Sequence, residues 1–236
     1  MTSREYTSPD LDVSIKDLTI QDKVDYIHPN LPSVPLNMCV YGSSSSGKTN
    51  MLLNLIGFYK KQFKKRVMVF TKTLNGSLMS LEKSIGASVF NNIVSDQGID
   101  RIRKILDFQK KAKEKGDPLK HVLILFDDFI CDNSLNKKRG IYEELFSTAR
   151  HYNISIIITS QQYTLLPSSI RRLSWHDCLF AMSNSAERKM MVNECCGSLY
   201  QNETEFESNY NEATREKYSF MYINRRDRTF STKFGA

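Results

Sequence analysis

The sequence has little of what marks fibrous, secreted or membrane-spanning proteins. Only 10 of its 236 residues are glycine and 6 are proline, which excludes a collagen-like or low-complexity chain. It has no apolar run near the roughly 18 residues that a transmembrane helix needs, so no membrane span is predicted. The first ten residues lack an apolar stretch after a basic one, so they do not resemble a secretory signal. At about 150 residues per domain, the length corresponds to between one and two domains. Because α/β domains often exceed about 200 residues, one core with tails is favoured.

Cysteine is also scarce. The five cysteines are an odd number, and none of them forms a Cys-x-x-Cys pair. Cys195 and Cys196 are adjacent, and neighbours in sequence do not readily bridge in ordinary disulfide geometry. We interpret the cysteines as buried, reduced thiols of a protein that works in an intracellular compartment.

Acidic residues are outnumbered by basic ones, 26 to 33, which gives a formal net charge of +7. This balance favours an acidic partner, and nucleic acid is the commonest one. Three stretches are candidate surfaces for nucleic-acid phosphates: residues 60–66, 101–120 and 224–228. Each is equally compatible with an ordinary solvated surface.

Residues 1–30 are polar and without apolar periodicity, which predicts a flexible or docking arm ahead of a core at 31–236. In the core, apolar strands alternate with helical patterns, which is typical of an α/β protein with a mostly parallel sheet flanked by helices. A β-hairpin at about 218–234 follows as an antiparallel addition. Strands are predicted at 36–41, 66–71, 121–126, 154–159 and 177–182. Helices are predicted at 48–61, 98–115, 140–152, 168–173 (with Ser168 as a possible cap) and 186–196, with a helix and a short strand in 76–93.

The most specific feature is a complete G-x-x-x-x-G-K-[ST] motif between an apolar strand and a helix. Its glycines allow a tight loop, its serines leave backbone N–H groups open to phosphate, and the following helix adds a partial positive charge. Lys48 is expected to reach the β- and γ-phosphates, and the Thr49 hydroxyl to bind Mg²⁺. The predicted nucleotide-binding residues are Gly42, Ser43, Ser44, Ser45, Ser46, Gly47, Lys48 and Thr49.

Two carboxylates, Asp127 and Asp128, directly follow the apolar run HVLILF. The carboxyl ends of parallel strands line the ligand crevice of an α/β sheet, so both should face the phosphate loop. Asp127 is expected to support Mg²⁺, and Asp128 to orient or polarise an attacking water. This pair favours hydrolysis over a switch or a small-molecule kinase.

A polar amide follows the next apolar strand, ISIIIT. Gln161 is predicted to sense the γ-phosphate and the water, with Gln162 as the alternative if the strand ends one residue later. An arginine that stabilises transition-state charge from a neighbouring subunit is expected among Arg150, Arg171 and Arg172.

Together these segments resemble the viral genome-packaging ATPases of the FtsK–HerA superfamily, of the type found in poxviruses, giant DNA viruses and virophages. The residues that carry the resemblance lie within about 30–182. They are GSSSSGKT at 42–49, LILFDD at 123–128, ARHYNIS at 149–155, IIITSQQ at 156–162 and LPSSIRR at 166–172.

The resemblance implies a RecA-like P-loop fold, ATP and Mg²⁺ as cofactors, and a ring of five or six subunits. It implies ATP-driven movement of double-stranded DNA into a capsid through a portal or vertex. The implied localisation is the cytoplasm or virus factory of an infected host cell, or the virion. In this family pattern, Asp128 takes the place of the catalytic glutamate of cellular members. Gln161 matches the residue that senses the γ-phosphate. Arg150 matches the arginine finger, which acts on the nucleotide of a neighbouring subunit.

Two other functions fit parts of the sequence. A P-loop kinase of small molecules would need an arginine-bearing lid and would leave Asp128 and the glutamine strand unexplained. An ATP-switched DNA-binding assembly factor would bind ATP and DNA without sustained turnover.

Overall fold

The computed structural model describes residues 31–73, 76–91, 96–128, 139–199, 202–232 and 234. The predicted arm at 1–30 and Cys131 lie outside these residues. Within the described residues, no helix combines the length and apolar character that crossing a membrane requires.

The described strands are β1 (Asn37–Tyr41), β2 (Val67–Thr71), β3 (Ser88–Phe90), β4 (Val122–Asp127), β5 (Ile154–Ser160), β6 (His176–Phe180), β7 (Phe220–Asn224) and β8 (Thr229–Ser231). They form one sheet in the order β3-β2-β4-β5-β1-β6-β7-β8. Strands β1 to β6 run parallel, whereas β7 pairs antiparallel with β6 and β8 antiparallel with β7. This confirms the predicted parallel sheet with an antiparallel hairpin at its end.

Helices cover both faces of this sheet. Those with described bounds are Lys48–Phe58, Lys60–Phe63, Gly76–Ile85, Asp96–Glu114, Arg139–Thr148, Ser168–Leu173, Ser185–Leu199 and Glu203–Ala213, and a 3₁₀ turn spans Ala149–Tyr152. The single helix expected at 48–61 is divided at Tyr59, whose buried hydroxyl donates to the Pro32 carbonyl. Ser168 is not a cap, because the Pro167 carbonyl already accepts from Ile170 N–H and the helix therefore begins at Ser168.

The helix Glu203–Ala213 was not predicted. The Asn202 side chain caps it by accepting from the Glu205 backbone N–H at 2.7 Å. Phe206, Tyr210 and Ala213 form its buried face. Because the Tyr210 hydroxyl donates to the Phe180 carbonyl at 2.9 Å, this helix supports the end of β6, next to the phosphate loop.

The continuous apolar strands are explained by burial on both faces. In β5, Ile156 and Ile158 pack into the core on one face of the sheet, whereas Ile157 between them packs into the core on the other face. The alternation of side chains along a strand therefore divides one apolar run between two cores. This covered, parallel centre holds the strand ends in fixed positions.

Four cysteines of the described residues are buried thiols outside any disulfide: Cys39, Cys178, Cys195 and Cys196. Burial raises the pKa of Cys39 to about 12, and that of Cys195 to about 12 as well. These thiols therefore act as small apolar packing groups and not as reactive thiolates.

Candidate functional site

The phosphate loop lies between β1 and the helix Lys48–Phe58, at the carboxyl edge of the sheet. The Gly42 N–H donates to the Ser160 carbonyl at 3.2 Å, and the Ser43 N–H donates to the Ala181 carbonyl at 3.3 Å. A side chain at Gly42 would place its Cβ 2.5 Å from Phe180 Cβ, so only glycine fits there. Gly47 has a φ of 103°, a left-handed conformation that favours glycine, and the helix starts at the next residue.

Lys48 reaches back over this loop. Its ammonium donates to the carbonyls of Gly42 at 2.7 Å and of Ser43 at 2.9 Å. Burial lowers the pKa of Lys48, and the charges of Asp128 and Asp127 oppose that shift. The cation is thus held inside the loop by neutral carbonyls, where it is available to phosphate oxygens.

Asp127 ends β4 as a buried carboxylate, with 7% of its surface exposed. It accepts from the Thr159 hydroxyl at 3.1 Å and from the Thr71 hydroxyl at 3.4 Å. Burial and the charge of Asp128 raise its pKa, whereas the two hydroxyls and Lys48 oppose the rise. A nearby divalent cation would stabilise the ionised form of such a carboxylate.

Asp128 follows in a left-handed conformation, with a φ of 56°. Its N–H donates to the Thr159 hydroxyl at 2.8 Å, and its carboxylate accepts from Gln161 Nε2 at 2.7 Å. A non-glycine residue in this conformation stores strain, a feature that concentrates at functional sites. The turn aims Asp128 away from the buried site of Asp127 and towards the amide.

The three strand ends converge as predicted. β4, β5 and β1 are neighbours in the sheet, and all three run parallel, so Asp127, Gln161 and the phosphate loop lie at the same edge. Of the two candidate amides, Gln161 contacts Asp128, whereas the Gln162 backbone closes a turn with the Ser160 hydroxyl. The contact favours Gln161 as the sensor position.

Oxygen donors suited to Mg²⁺ are present at this edge. Thr49 lies in the first turn of the helix after Lys48, and Asp127 supplies a carboxylate. Hydroxyl, carboxylate and phosphate oxygens are the hard ligands that Mg²⁺ prefers. The residues therefore fit a magnesium ion bound together with a nucleoside triphosphate.

Arg150 is not part of this group. It lies in the 3₁₀ turn before β5, at the amino edge of the sheet, and β5 separates the two edges by about 20 Å for seven residues. Its guanidinium lies 5.2 Å from the centre of the Trp175 ring, and that of Arg226 lies 4.8 Å from the same ring. Arg150 is exposed there and points away from the chain's own phosphate loop.

The alternative finger residues behave differently from each other. Arg171 is buried, and its guanidinium donates to Glu194 through Nε at 2.9 Å and through the neighbouring nitrogen at 2.5 Å. It also donates to the Leu166 carbonyl. Arg171 is therefore a structural residue in this chain, whereas Arg172 is exposed.

Sequence reasoning missed two contributors at the carboxyl edge, Thr71 and Thr159. The two threonines end or nearly end β2 and β5, the strands on either side of β4. Each therefore presents a hydroxyl to Asp127. Only the strand order reveals this, because Thr71 lies far from Asp127 in the sequence.

A comparison with protein families decides the relationship. The family model described as poxvirus A32 protein matches residues 23–202, which is more than half of the chain. The chain belongs to the poxvirus A32 protein family. The resemblance inferred from the motifs is thereby confirmed at the level of the family.

Curated relatives agree with this assignment. The DNA packaging protein OPG160 of Variola virus is 28% identical over 174 residues, covering 70% of this chain and 60% of the relative. The protein of the same name from Vaccinia virus (strain Copenhagen) is 29% identical over 170 residues, covering 69% of this chain and 59% of the relative. The chain thus spans about 60% of the length of these relatives. Protein V3 of Sputnik virophage is 26% identical over 161 residues, or 66% of this chain and 58% of the relative.

Solved structures support the fold. B204, the DNA-packaging ATPase of Sulfolobus turreted icosahedral virus, has a TM-score of 0.62 at 14% identity, covering 85% of this chain and 97% of B204. The conjugation coupling protein TcpA of pCW3, in its monomer form with ATPγS, has a TM-score of 0.60 at 13% identity, covering 81% and 58%. At these identities the likeness shows the fold alone, and it confirms the predicted RecA-like P-loop architecture.

Proposed function

We propose that this chain is an ATPase motor that moves double-stranded DNA into a viral capsid. The observation that carries the proposal is the convergence of the phosphate loop, the Asp127–Asp128 pair and Gln161 at one edge of the sheet. A loop and a lysine alone would serve any nucleoside triphosphate. A second carboxylate held by an amide is the additional chemistry that hydrolysis requires.

The residues take distinct roles in this proposal. Lys48 and the loop N–H groups bind the phosphates, and Lys48 balances charge that develops on the γ-phosphate. Asp128 accepts the proton of the attacking water. Gln161 orients this water from the position that its hydrogen bond to Asp128 gives it. Thr49 and Asp127 would hold Mg²⁺, which when bound neutralises phosphate charge.

Arg150 completes the site from a neighbouring subunit. The strand length keeps it out of reach of its own phosphate loop, so it can stabilise the transition state only in an assembly. A ring of five or six subunits places the amino edge of one copy against the carboxyl edge of the next. DNA in the ring would contact basic side chains outside the nucleotide site, including those of the helix Asp96–Glu114.

The cellular setting follows from the relatives. Both orthopoxvirus relatives are named DNA packaging proteins. We infer that this chain acts in an infected cell, at a capsid portal or vertex.

The test is steady-state ATP hydrolysis with and without duplex DNA. We expect DNA to stimulate turnover, and negative-stain images with ATP and DNA to show rings. Lys48→Ala should lose nucleotide binding. Turnover that never rises above background, with ATP and DNA both bound, would instead indicate a nucleotide switch, and ATP-dependent phosphorylation of a small acceptor would indicate a kinase.

Asp128→Asn isolates the chemical step. Asparagine tolerates the left-handed conformation at this position, so the backbone should stay in place. We expect ATP binding to persist and turnover to fall by about 10²–10⁴-fold, the usual contribution of a general base. Asp107→Asn, on an exposed face of the helix Asp96–Glu114, is the matched control. Unchanged turnover in Asp128→Asn would remove Asp128 from the catalytic role.

A further inference from the structure

The order of the strands determines which way a bound nucleotide must point. The groups proposed to act on the γ-phosphate lie over β4 and β5, on one side of β1. The triphosphate is held by the loop after β1, so its other end must extend to the opposite side. A nucleoside at that end of the triphosphate would lie over the end of β6 and the start of β7.

Tyr218 stands at that position, two residues before β7 begins. A Cβ built at Gly47 would lie 3.2 Å from Tyr218 Cδ1 and 3.3 Å from Tyr218 Cβ. The tyrosine therefore packs directly beside the phosphate loop, at the residue before the first helix. It does so without being buried, since 57% of its surface remains exposed.

Aromatic side chains and a turn surround this position. Phe180, the last residue of β6, packs against Phe220, the first residue of β7, with the ring centroids 5.0 Å apart, and the Phe180 ring is the other aromatic beside Gly47. A turn fixes the approach to β7, because the Ser219 N–H and hydroxyl both donate to the Glu216 carbonyl, at 3.2 and 2.7 Å. The ring is thus presented on an ordered support.

The backbone of Tyr218 is strained, with a φ of 71°. This conformation is unfavourable for a bulky aromatic residue, and a ring that is mostly exposed regains little of that cost by burial. The Lys217 ammonium lies 4.8 Å from the ring centre, which adds a cation beside the aromatic face. An exposed aromatic ring beside a phosphate loop offers a face on which a planar ligand can stack.

We infer that Tyr218 is the platform on which the base of the bound nucleoside triphosphate stacks. This inference rests on the proposed nucleotide site and deepens it, because it assigns the recognition of the nucleoside to the segment before β7. Gly47 is the loop residue beside the ring, so the same tyrosine would contact both the base and the end of the phosphate loop.

The test compares ligands that share phosphates but differ in the base. Affinities for ATP, ADP and inorganic tripolyphosphate, each with Mg²⁺, are measured by titration calorimetry on the wild-type chain and on Tyr218→Ala. We expect Tyr218→Ala to weaken the binding of ATP and of ADP about 5- to 100-fold, which is the usual effect of removing an aromatic stacking partner. Binding of tripolyphosphate should not change.

Three further variants separate stacking from packing. Tyr218→Phe keeps an aromatic face and should bind ATP as the wild type does. Tyr218→Leu keeps an apolar contact with Gly47 but lacks the aromatic face, so it should resemble Tyr218→Ala. Phe108→Ala removes another exposed aromatic side chain, which is 66% exposed on the helix Asp96–Glu114. It should change the binding of neither ATP nor tripolyphosphate.

The outcomes are distinguishable. Equal ATP affinity in wild type and Tyr218→Ala overturns the inference and leaves the proposed ATPase intact. An equal loss of ATP and tripolyphosphate binding overturns it as well, because the tyrosine would then support the loop and not the base. A folded wild-type chain that binds neither ATP nor tripolyphosphate overturns both proposals.

Discussion

The two edges of the sheet differ in chemistry although the same strands connect them. The carboxyl edge carries acidic and amide groups, Asp127, Asp128 and Gln161, around one buried lysine. The amino edge carries arginines, of which Arg150 and Arg226 lie over the Trp175 ring. The carboxyl edge therefore carries groups suited to binding a chain of phosphates, and the amino edge carries cationic side chains.

Under the proposed function, in which Arg150 is catalytic, one copy of the chain cannot assemble the site by itself. The roughly 20 Å along β5 exceeds what an arginine side chain can span. Two copies placed edge to edge would supply the missing positive charge. The arginines of the amino edge are not equivalent, however: Arg225 is paired with Asp177 inside the chain, whereas Arg150 is exposed.

The largest expected effect is that of Arg150→Ala. Trans-acting arginines of P-loop NTPases contribute about 10³–10⁵-fold to turnover, so we expect hydrolysis to fall by at least about 10³-fold while ATP affinity stays unchanged. Steady-state hydrolysis and equilibrium binding of ATP are the measurements. Arg215→Ala, which removes an exposed arginine outside the three candidates, is the control.

Mixing subunits makes this prediction specific to action between copies. Lys48→Ala lacks a working phosphate site but keeps Arg150, and Arg150→Ala has the opposite defect. A mixture should recover part of the activity, because some interfaces then pair an intact loop with an intact arginine. If the mixture stays as inactive as its components, Arg150 does not act on a neighbour's nucleotide.

The next largest effect is on folding, at the paired arginine. Arg225 lies 2.5 Å from the carboxylate of Asp177, whose side chain is fully buried. Burial alone lowers the pKa of Arg225, but Asp177 outweighs it and raises the pKa. Arg225→Met leaves a buried carboxylate unpaired, so we expect a loss of about 3–5 kcal/mol in the free energy of unfolding, measured with denaturant.

Two controls accompany this measurement. Arg226→Met, at the exposed neighbour, should stay within about 0.5 kcal/mol of the wild type. The double change Arg225→Met with Asp177→Leu should recover much of the loss, because no unpaired charge remains. A small loss in Arg225→Met alone would mean that the Arg225–Asp177 pair contributes little to stability.

The pH dependence of stability should have opposite signs at the two edges. At the amino edge, burial lowers the pKa of His176 to about 4, with the charge of Arg226 adding to the shift. Between pH 4 and about 6.5 the unfolded chain therefore binds a proton that the folded chain does not. Stability should fall on acidification through this window, by about 3 kcal/mol when complete.

At the carboxyl edge, burial and the charge of Asp128 raise the pKa of Asp127 above its usual value of 3.8. The folded chain then binds a proton at pH values where the unfolded chain has lost it, so stability from this group falls as pH rises through that window. Unfolding curves of His176→Gln and Asp127→Asn at several pH values measure the contribution of each group to the pH dependence of stability. Curves that run parallel to the wild type in either variant would contradict the corresponding assignment.

Much of the fold and part of the site follow from the sequence alone. The phosphate loop is a local motif, and Asp127 and Gln161 directly follow apolar strands, so strand ends predict their place. Thr71 and Tyr218 depend on which strands are neighbours, which local patterns do not encode. The helix Glu203–Ala213 did have a signal, since Asn202 precedes Glu205 by three residues and the apolar residues Phe206, Tyr210 and Ala213 follow at helical spacing.

The smallest effect we expect is at Thr159, the residue that contacts the Asp127 carboxylate and the Asp128 backbone. Its hydroxyl donates to Asp127 and accepts from the Asp128 N–H, so Thr159→Val removes two hydrogen bonds while keeping the shape. We expect a loss of about 1–3 kcal/mol in the free energy of unfolding, because buried groups lose their partners.

The same change should alter the chemistry in a way that a packing defect would not. The Thr159 hydroxyl opposes the upward shift in the pKa of Asp127, so its removal should raise that pKa further. The acidic limb of the pH–rate profile for ATP hydrolysis should then move to higher pH. Thr159→Ser keeps the hydroxyl and should keep the limb in place. If Thr159→Val lowers stability without moving the limb, the hydroxyl supports the strand end and does not tune Asp127.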